Sequence, residues 1–151
     1  QEFGLRSGTL PTHQIVGLST ALKLSISTHK QDYTHVVSLK SEFLKCIQQE
    51  LATIIHGDLA LSSPYILNFS IENIGSDALI NQLINDVAIS SGSACSSGTV
   101  EPSYVLRAMD LDDKYLYGAV RVSFSRENTI EEVQEAAKCI VLAVQRIKEM
   151  Y

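Results

Sequence analysis

The chain has no tryptophan, three prolines and only three cysteines, none of them in a Cys-x-x-Cys pair. The odd count and the missing pair argue against both a disulfide framework and a cysteine-based zinc site. Net positive charge is missing too: 12 Lys and Arg stand against 17 Asp and Glu, a formal charge of −5 at pH 7. That balance suits neither nucleic acid nor an anionic membrane surface as a partner. No apolar run approaches the roughly 18 residues of a spanning helix. No secretory leader opens the chain, so the expected compartment is cytoplasmic. An initiator methionine is also absent: the chain opens "QEFGLRSGTLPTHQ" and reads as a piece of something longer. What is present is 151 residues, 45% hydrophobic and 19% charged, enough for one domain with a substantial core.

Hydrophobic spacing sets out the expected elements. Residues 1–12 form a polar arm ending at Pro11. Ile15, Leu18, Leu22 and Ile26 recur at helical spacing from about His13 to Ile26. A second helix is expected from about Tyr33 to Ile55, with Val36, Phe43, Ile47, Leu51 and Ile54 on one stripe. "YILNFSIEN" alternates as a half-buried strand, with Tyr65, Leu67, Phe69 and Ile71 on one side and Asn68 and Ser70 on the other. A short helix follows in "GSDALINQLIND", with Ser76 as its N-cap. "VAIS" is a brief strand, and "EPSYVLRAM" begins a helix with Pro102 in its first turn. "AVRVSFS" is the clearest strand: Val120, Val122 and Phe124 face one way, Arg121 and Ser123 the other. The last helix opens with a capping box, Thr129 and Glu132, and buries Val133, Ala137, Ile140, Val144 and Ile147. The strands are too few for a doubly wound sheet. The expected fold is α+β, a small, mostly antiparallel sheet covered by helices on one face.

Two cysteines, Cys46 and Cys139, lie among apolar residues of expected helices and read as small buried hydrophobes. Cys95 is different. It sits in "SSGSACSSGTVEP", residues 90–102, where almost no side chain can pack a core. An exposed free thiol is a liability unless it is used. His13, His35 and His56 have no ligand-like spacing, so no metal site is expected.

Several stretches together carry a resemblance. "SSGSACSSGTVEPSYVLRAM", then "VRVSFSRENTIEEV", and "GLRSGTLPTHQIVGLSTAL" near the start are similar to the cysteine desulfurases of iron–sulfur cluster assembly. These are fold-type I pyridoxal phosphate enzymes, and the match runs in register from residue 4 to about 148. The Ser-Gly-Ser-Ala-Cys loop resembles the subtype with the longer mobile loop. The resemblance implies that residues 1–12 are an active-site arm. It implies that 13–151 are the C-terminal small domain, carrying the cysteine loop at about 90–101.

The same resemblance assigns roles. Cys95 becomes the nucleophile that takes sulfur from L-cysteine as a persulfide. Arg121 becomes the group holding the substrate α-carboxylate, for which a guanidinium fork is suited. Thr9, with Arg6 in support, reaches the cofactor phosphate of the neighbouring subunit; Phe3 stands where the family often has a basic residue. The implied cofactor is pyridoxal 5'-phosphate. The implied partners are a second copy of the chain, an iron–sulfur scaffold protein and other sulfur acceptors. "STHK", Ser27 to Lys30, looks like the family's Schiff-base lysine motif. It lies after the Arg-Ser-Gly-Thr motif instead of before it, and "QDYTH" follows it where the family has a Gly-Pro-Lys-Gly stretch. Lys30 is therefore expected to be a solvated residue between two helices, with the true lysine upstream of Gln1. A related selenocysteine lyase, or a non-catalytic binding domain with an incidental Cys95, remains as an alternative.

Overall fold

The computed structural model describes residues 2–5, 7–91 and 103–150. Two units are distinguished, Gln1–Asp32 and Tyr33–Tyr151. In the first, a 3-10 turn at Glu2–Gly4 opens the arm. Helix α1 then begins at Thr12, with the Pro11 carbonyl accepting from the Gln14 and Ile15 N–H groups.

Helix α1 runs unbroken from Thr12 to Glu50, which corrects the expectation of two helices. Residues 27–32 contain neither Gly nor Pro. The hydroxyl of Thr28 is bonded along the helix, to the Leu24 carbonyl at 3.1 Å and to the Asp32 carboxylate at 2.6 Å. Nothing there interrupts the i→i−4 ladder. Lys30 therefore sits exposed within the helix and not between two helices. Ile15, Leu18, Leu22 and Ile26 are 50–74% exposed. The helix also stops before Ile55. The run Thr53-Ile54-Ile55 is β-branched throughout, a chemistry that favours extended backbone, and it forms strand β1 (Thr53–Ile55).

The second unit is α+β, as expected. β1, β2 (Ile66–Ile71), β3 (Ser90–Ser91) and β4 (Val120–Ser123) form an open sheet in the order β1-β2-β4-β3. Every neighbouring pair is antiparallel. The described helices of this unit beyond α1 are α2 (Ser76–Leu83), α3 (Tyr104–Ala108), α4 (Asp113–Leu116) and α5 (Ile130–Met150). Leu67, Phe69 and Ile71 of β2 and Val120 of β4 turn to one face. There they join Val36, Leu39, Phe43 and Ile47 of α1 and Val133, Ala137, Ile140 and Val144 of α5 in a single core. Phe43 is its hinge point, meeting Phe69 and Phe124 edge-on with ring centroids 6.0 and 5.6 Å apart. Such pairs add about 0.5–1.5 kcal/mol each beyond area burial.

Local signals account for most element ends. At α5 the capping box is complete: Thr129 N–H donates to the Glu132 carboxylate at 3.1 Å, and Glu132 N–H donates to Thr129 Oγ1 at 3.2 Å. A cap of this kind contributes on the order of 1 kcal/mol. At α2 the expectation is corrected. Gly75 is the N-cap, with no side-chain cap bond, and Ser76 is the first helical residue; its otherwise free N–H donates to the Tyr117 carbonyl at 3.1 Å. α3 has Ser103 as N-cap; Pro102 lies outside the described residues. Just before β4, Gly118 is required by contact: a Cβ there would collide with the Ile74 carbonyl oxygen.

Candidate functional site

The strand alternation that buries Val120 turns Arg121 to the opposite face of the sheet. Arg121 is exposed, and the register places it opposite Asn68 of β2 on one side and Ser90 of β3 on the other. Its Nη2 donates to Ser90 Oγ at 3.5 Å, a long bond that leaves the fork open. His56, whose N–H bonds the Asn68 carbonyl at 2.9 Å, continues the ladder just beyond β1. His56, Asn68, Arg121 and Ser90 thus form one polar row across four strands, with neighbours about 5 Å apart.

The row is unevenly satisfied. His56 Nε2 lies 2.8 Å from Ser70 Oγ, and Ser70 is fully buried. Burial pushes the imidazole below its ordinary pKa, which disfavours its charged form. His56 Nδ1 and Asn68 Oδ1 are buried without a hydrogen-bond partner. An orphaned buried amide carbonyl costs about 1–3 kcal/mol, so its presence calls for a reason.

β3 delivers the chain to the cysteine segment. Cys95 follows Ser91 by four positions, so covalent geometry keeps its Cα within about 14 Å of the Ser91 Cα. Cys95 itself and Arg6 lie outside the described residues. Thr9 belongs to the first unit and is exposed; it follows Gly8, whose φ of 100° is in the left-handed region that glycine tolerates. The structure therefore joins Arg121 to the strand that leads to Cys95, and describes Thr9 only within its own unit. Sequence reasoning missed Asn68, Ser90 and His56 as neighbours of Arg121. The alternation of "YILNFSIEN" marks Asn68 as outward-facing, but only strand register shows what it faces.

The other two thiols are set apart by their surroundings. Cys46 and Cys139 are half-buried on α1 and α5. Burial first, then the carboxylates of Glu42 and Glu135 respectively, pushes each thiol above its ordinary pKa. A raised pKa lowers the thiolate fraction and hence the reactivity. Cys95 is accordingly expected to be alkylated by a bulky thiol reagent well before either, as read by peptide mapping of the folded protein. First labelling at Cys46 or Cys139 would contradict this.

A cavity of about 120 Å³ between Tyr33, Val37, Leu44 and Leu59 lies on the α1 side of the sheet. Its one cation, Lys40, is committed elsewhere: Nζ donates to Ser62 Oγ at 3.2 Å and to the Ser63 and Ile66 carbonyls at 3.0 Å each. Lys40 pins a loop; the cavity offers no free charge to a ligand. Among the described residues, no cluster of three His, Cys, Asp or Glu could hold a metal ion, and no helix is long and apolar enough to cross a membrane.

The chain presents an open antiparallel sheet with an exposed arginine on β4, next to strand β3, after which the sequence runs on to Cys95. It belongs to the aminotransferase class-V family, which matches residues 1–136. Among curated relatives, cysteine desulfurase IscS of Vibrio vulnificus (strain CMCP6) is 42% identical over 149 residues, covering 99% of this chain and 37% of the relative. The IscS of Neisseria gonorrhoeae (strain ATCC 700825 / FA 1090) gives the same figures. The chain thus spans little more than a third of these relatives' length. Among solved structures, a NifS-like protein superposes with a TM-score of 0.81 at 29% identity, over 97% of this chain and 37% of its own. Cysteine desulfurase CsdA (S-sulfonic acid) from Escherichia coli shares the fold, with a TM-score of 0.68 at 20% identity over 97% of this chain and 33% of its own.

Proposed function

We propose that the chain is the C-terminal part of a pyridoxal phosphate-dependent cysteine desulfurase, comprising the active-site arm (1–12) and the small domain (13–151). The parent converts L-cysteine and the Cys95 thiol into L-alanine and a Cys95 persulfide. The observation that carries this reading is the adjacency of β4 and β3. Arg121 stands on one, and the chain to Cys95 leaves from the other. A carboxylate clamp and a sulfur acceptor within one loop's reach are what removal of sulfur from an amino acid requires.

Arg121 binds and orients. Its fork takes the substrate carboxylate in two parallel hydrogen bonds, which fixes the amino acid's position and leaves its side chain to be presented to Cys95. The Cys95 thiolate attacks the substrate sulfur: an S–S bond forms and the carbon–sulfur bond breaks. The electron pair of the broken bond stays with carbon and is protonated to the methyl group of alanine. When bound, pyridoxal phosphate supplies the electron sink that makes this cleavage accessible. The donor chemistry of the arm suits that group. A left-handed glycine followed by a hydroxyl, with Arg6 two positions before Gly8, is a reasonable cradle for phosphate oxygens, so Thr9 and Arg6 would hold the phosphate. The Schiff-base lysine is supplied by the part of the parent upstream of Gln1.

The parent works as a homodimer in the cytoplasm, with the arm reaching the phosphate of the neighbouring subunit. It passes the persulfide sulfur to an iron–sulfur scaffold protein or other acceptor proteins. The test is the full-length protein incubated with L-cysteine. Alanine is expected to appear, and the peptide containing Cys95 to gain one sulfur atom by mass spectrometry. Alanine formation with the extra sulfur on Cys46 or Cys139 would overturn the assignment of the acceptor. Absence of alanine would overturn the activity.

A further inference from the structure

Asn68 is the one member of the polar row that faces Arg121 directly and bonds to nothing through its side chain. Its Oδ1 is buried without a partner. The β2–β4 register sets it opposite Arg121, and Ser90 stands on the other flank with its hydroxyl 3.5 Å from Nη2. A guanidinium carries five N–H donors in one plane, and a bidentate carboxylate takes two. The remaining donors need acceptors that carry no charge, because a second carboxylate would compete for the fork. A serine hydroxyl and an amide carbonyl, one on each side, meet that need.

We infer that Asn68 is a positioning residue for Arg121: its Oδ1 accepts an N–H of the guanidinium when the fork lies down on the sheet face to meet a substrate carboxylate, with Ser90 holding the other side. The inference rests on the reading of Arg121 as the carboxylate-binding group. Two further features favour it. Asn68 keeps a buried, unsatisfied carbonyl where a leucine of similar size would bring no polar cost. The next residue outward in the row, His56, has its charged form disfavoured by burial.

The experiment uses the full-length enzyme with Asn68→Ala and Asn68→Leu, each alone and combined with Arg121→Ala. Asn68→Leu removes the orphaned carbonyl without leaving a void. It is expected to hold or raise the melting temperature while raising KM for L-cysteine about tenfold, with kcat changed less than about threefold. A residue that only supported the fold would not gain stability and lose substrate affinity together. Binding of cysteamine, which is cysteine without its carboxylate, is expected to stay the same. In the Arg121→Ala background the Asn68 changes should add nothing further, since the group they position is gone. The inference is overturned if KM for L-cysteine is unchanged in both Asn68 variants while Arg121→Ala raises it. It is equally overturned if cysteamine binding falls in step, or if the effects add. If Arg121→Ala itself leaves KM unchanged, the carboxylate reading fails, and that outcome is separate from the others.

Discussion

Cys95→Ser in the full-length protein is expected to bind pyridoxal phosphate and L-cysteine and to form no alanine. On the proposed reading, cofactor retention rests on a lysine upstream of Gln1 and on Thr9 and Arg6 as phosphate-holding groups. On the same reading, substrate capture rests on Arg121 and on the cofactor. None of these is the loop thiol. A serine hydroxyl is barely ionised at neutral pH and forms no stable bond to sulfur of the persulfide kind, so the carbon–sulfur bond has no partner to break toward. The fall in alanine formation is expected to be roughly 10³-fold or more. The cofactor absorbance should still change on adding L-cysteine, and mass spectrometry should find no added sulfur. Cys46 and Cys139 are half-buried with thiol pKa values raised by burial, which lowers their thiolate fraction and disfavours either as a substitute nucleophile. Turnover near the parental rate in the variant would show that the sulfur acceptor is elsewhere. The reading of "SSGSACSSGTVEP" as an active loop would then fall, while the fold and family would stand.

What could be read from sequence followed from how local each signal was. The alternation of Leu67, Phe69 and Ile71 gave the core face of β2, and Thr129 with Glu132 marked the start of α5, because both are settled within a few residues. The joint expected between two helices had no such signal. Residues 27–32 fall between the two expected helical ranges and are polar, yet polar residues extend a helix readily when its backbone bonds are satisfied. The end of α1 went astray for the opposite reason. Ile54 fits a helical stripe by spacing, but the β-branched run Thr53-Ile54-Ile55 favours extended backbone, and Ile54 pairs with Ser70 across β1–β2. Lys40 lies on the buried side of α1, where a charge is unexpected. Its partners come from the distant loop at Ser62 and Ser63 and from Ile66 at the start of β2, which no helical periodicity can show. The site divides in the same way. Arg121 is visible as a polar break in an apolar strand, and its proposed role comes from the family resemblance. Its neighbours Asn68 and Ser90 depend on strand register, which is a property of the whole sheet.

Arg121→Ala in the full-length protein is expected to lower kcat/KM for L-cysteine by roughly 30- to 1000-fold, mostly through KM. The estimate follows from the loss of a charge-assisted bidentate contact, on the order of 2–4 kcal/mol. Stability should hardly change. Arg121 is exposed, and its side-chain bond to Ser90 Oγ, at 3.5 Å, is at the edge of hydrogen-bonding distance. The substitution therefore removes no core contact and leaves no newly buried charge. Arg121→Lys keeps the charge and loses the fork, and should fall between the two, because an ammonium is a point donor that cannot hold both carboxylate oxygens in plane. The substrate carboxylate can be tested directly. In the native enzyme cysteamine is expected to bind more weakly than L-cysteine, and in Arg121→Ala the two should converge. Convergence ties the lost affinity to one carboxylate and one guanidinium, since a general disturbance of the site would weaken both ligands alike. An unchanged kcat/KM in Arg121→Ala, with the preference for L-cysteine over cysteamine intact, would mean that the carboxylate is held by a residue outside β4.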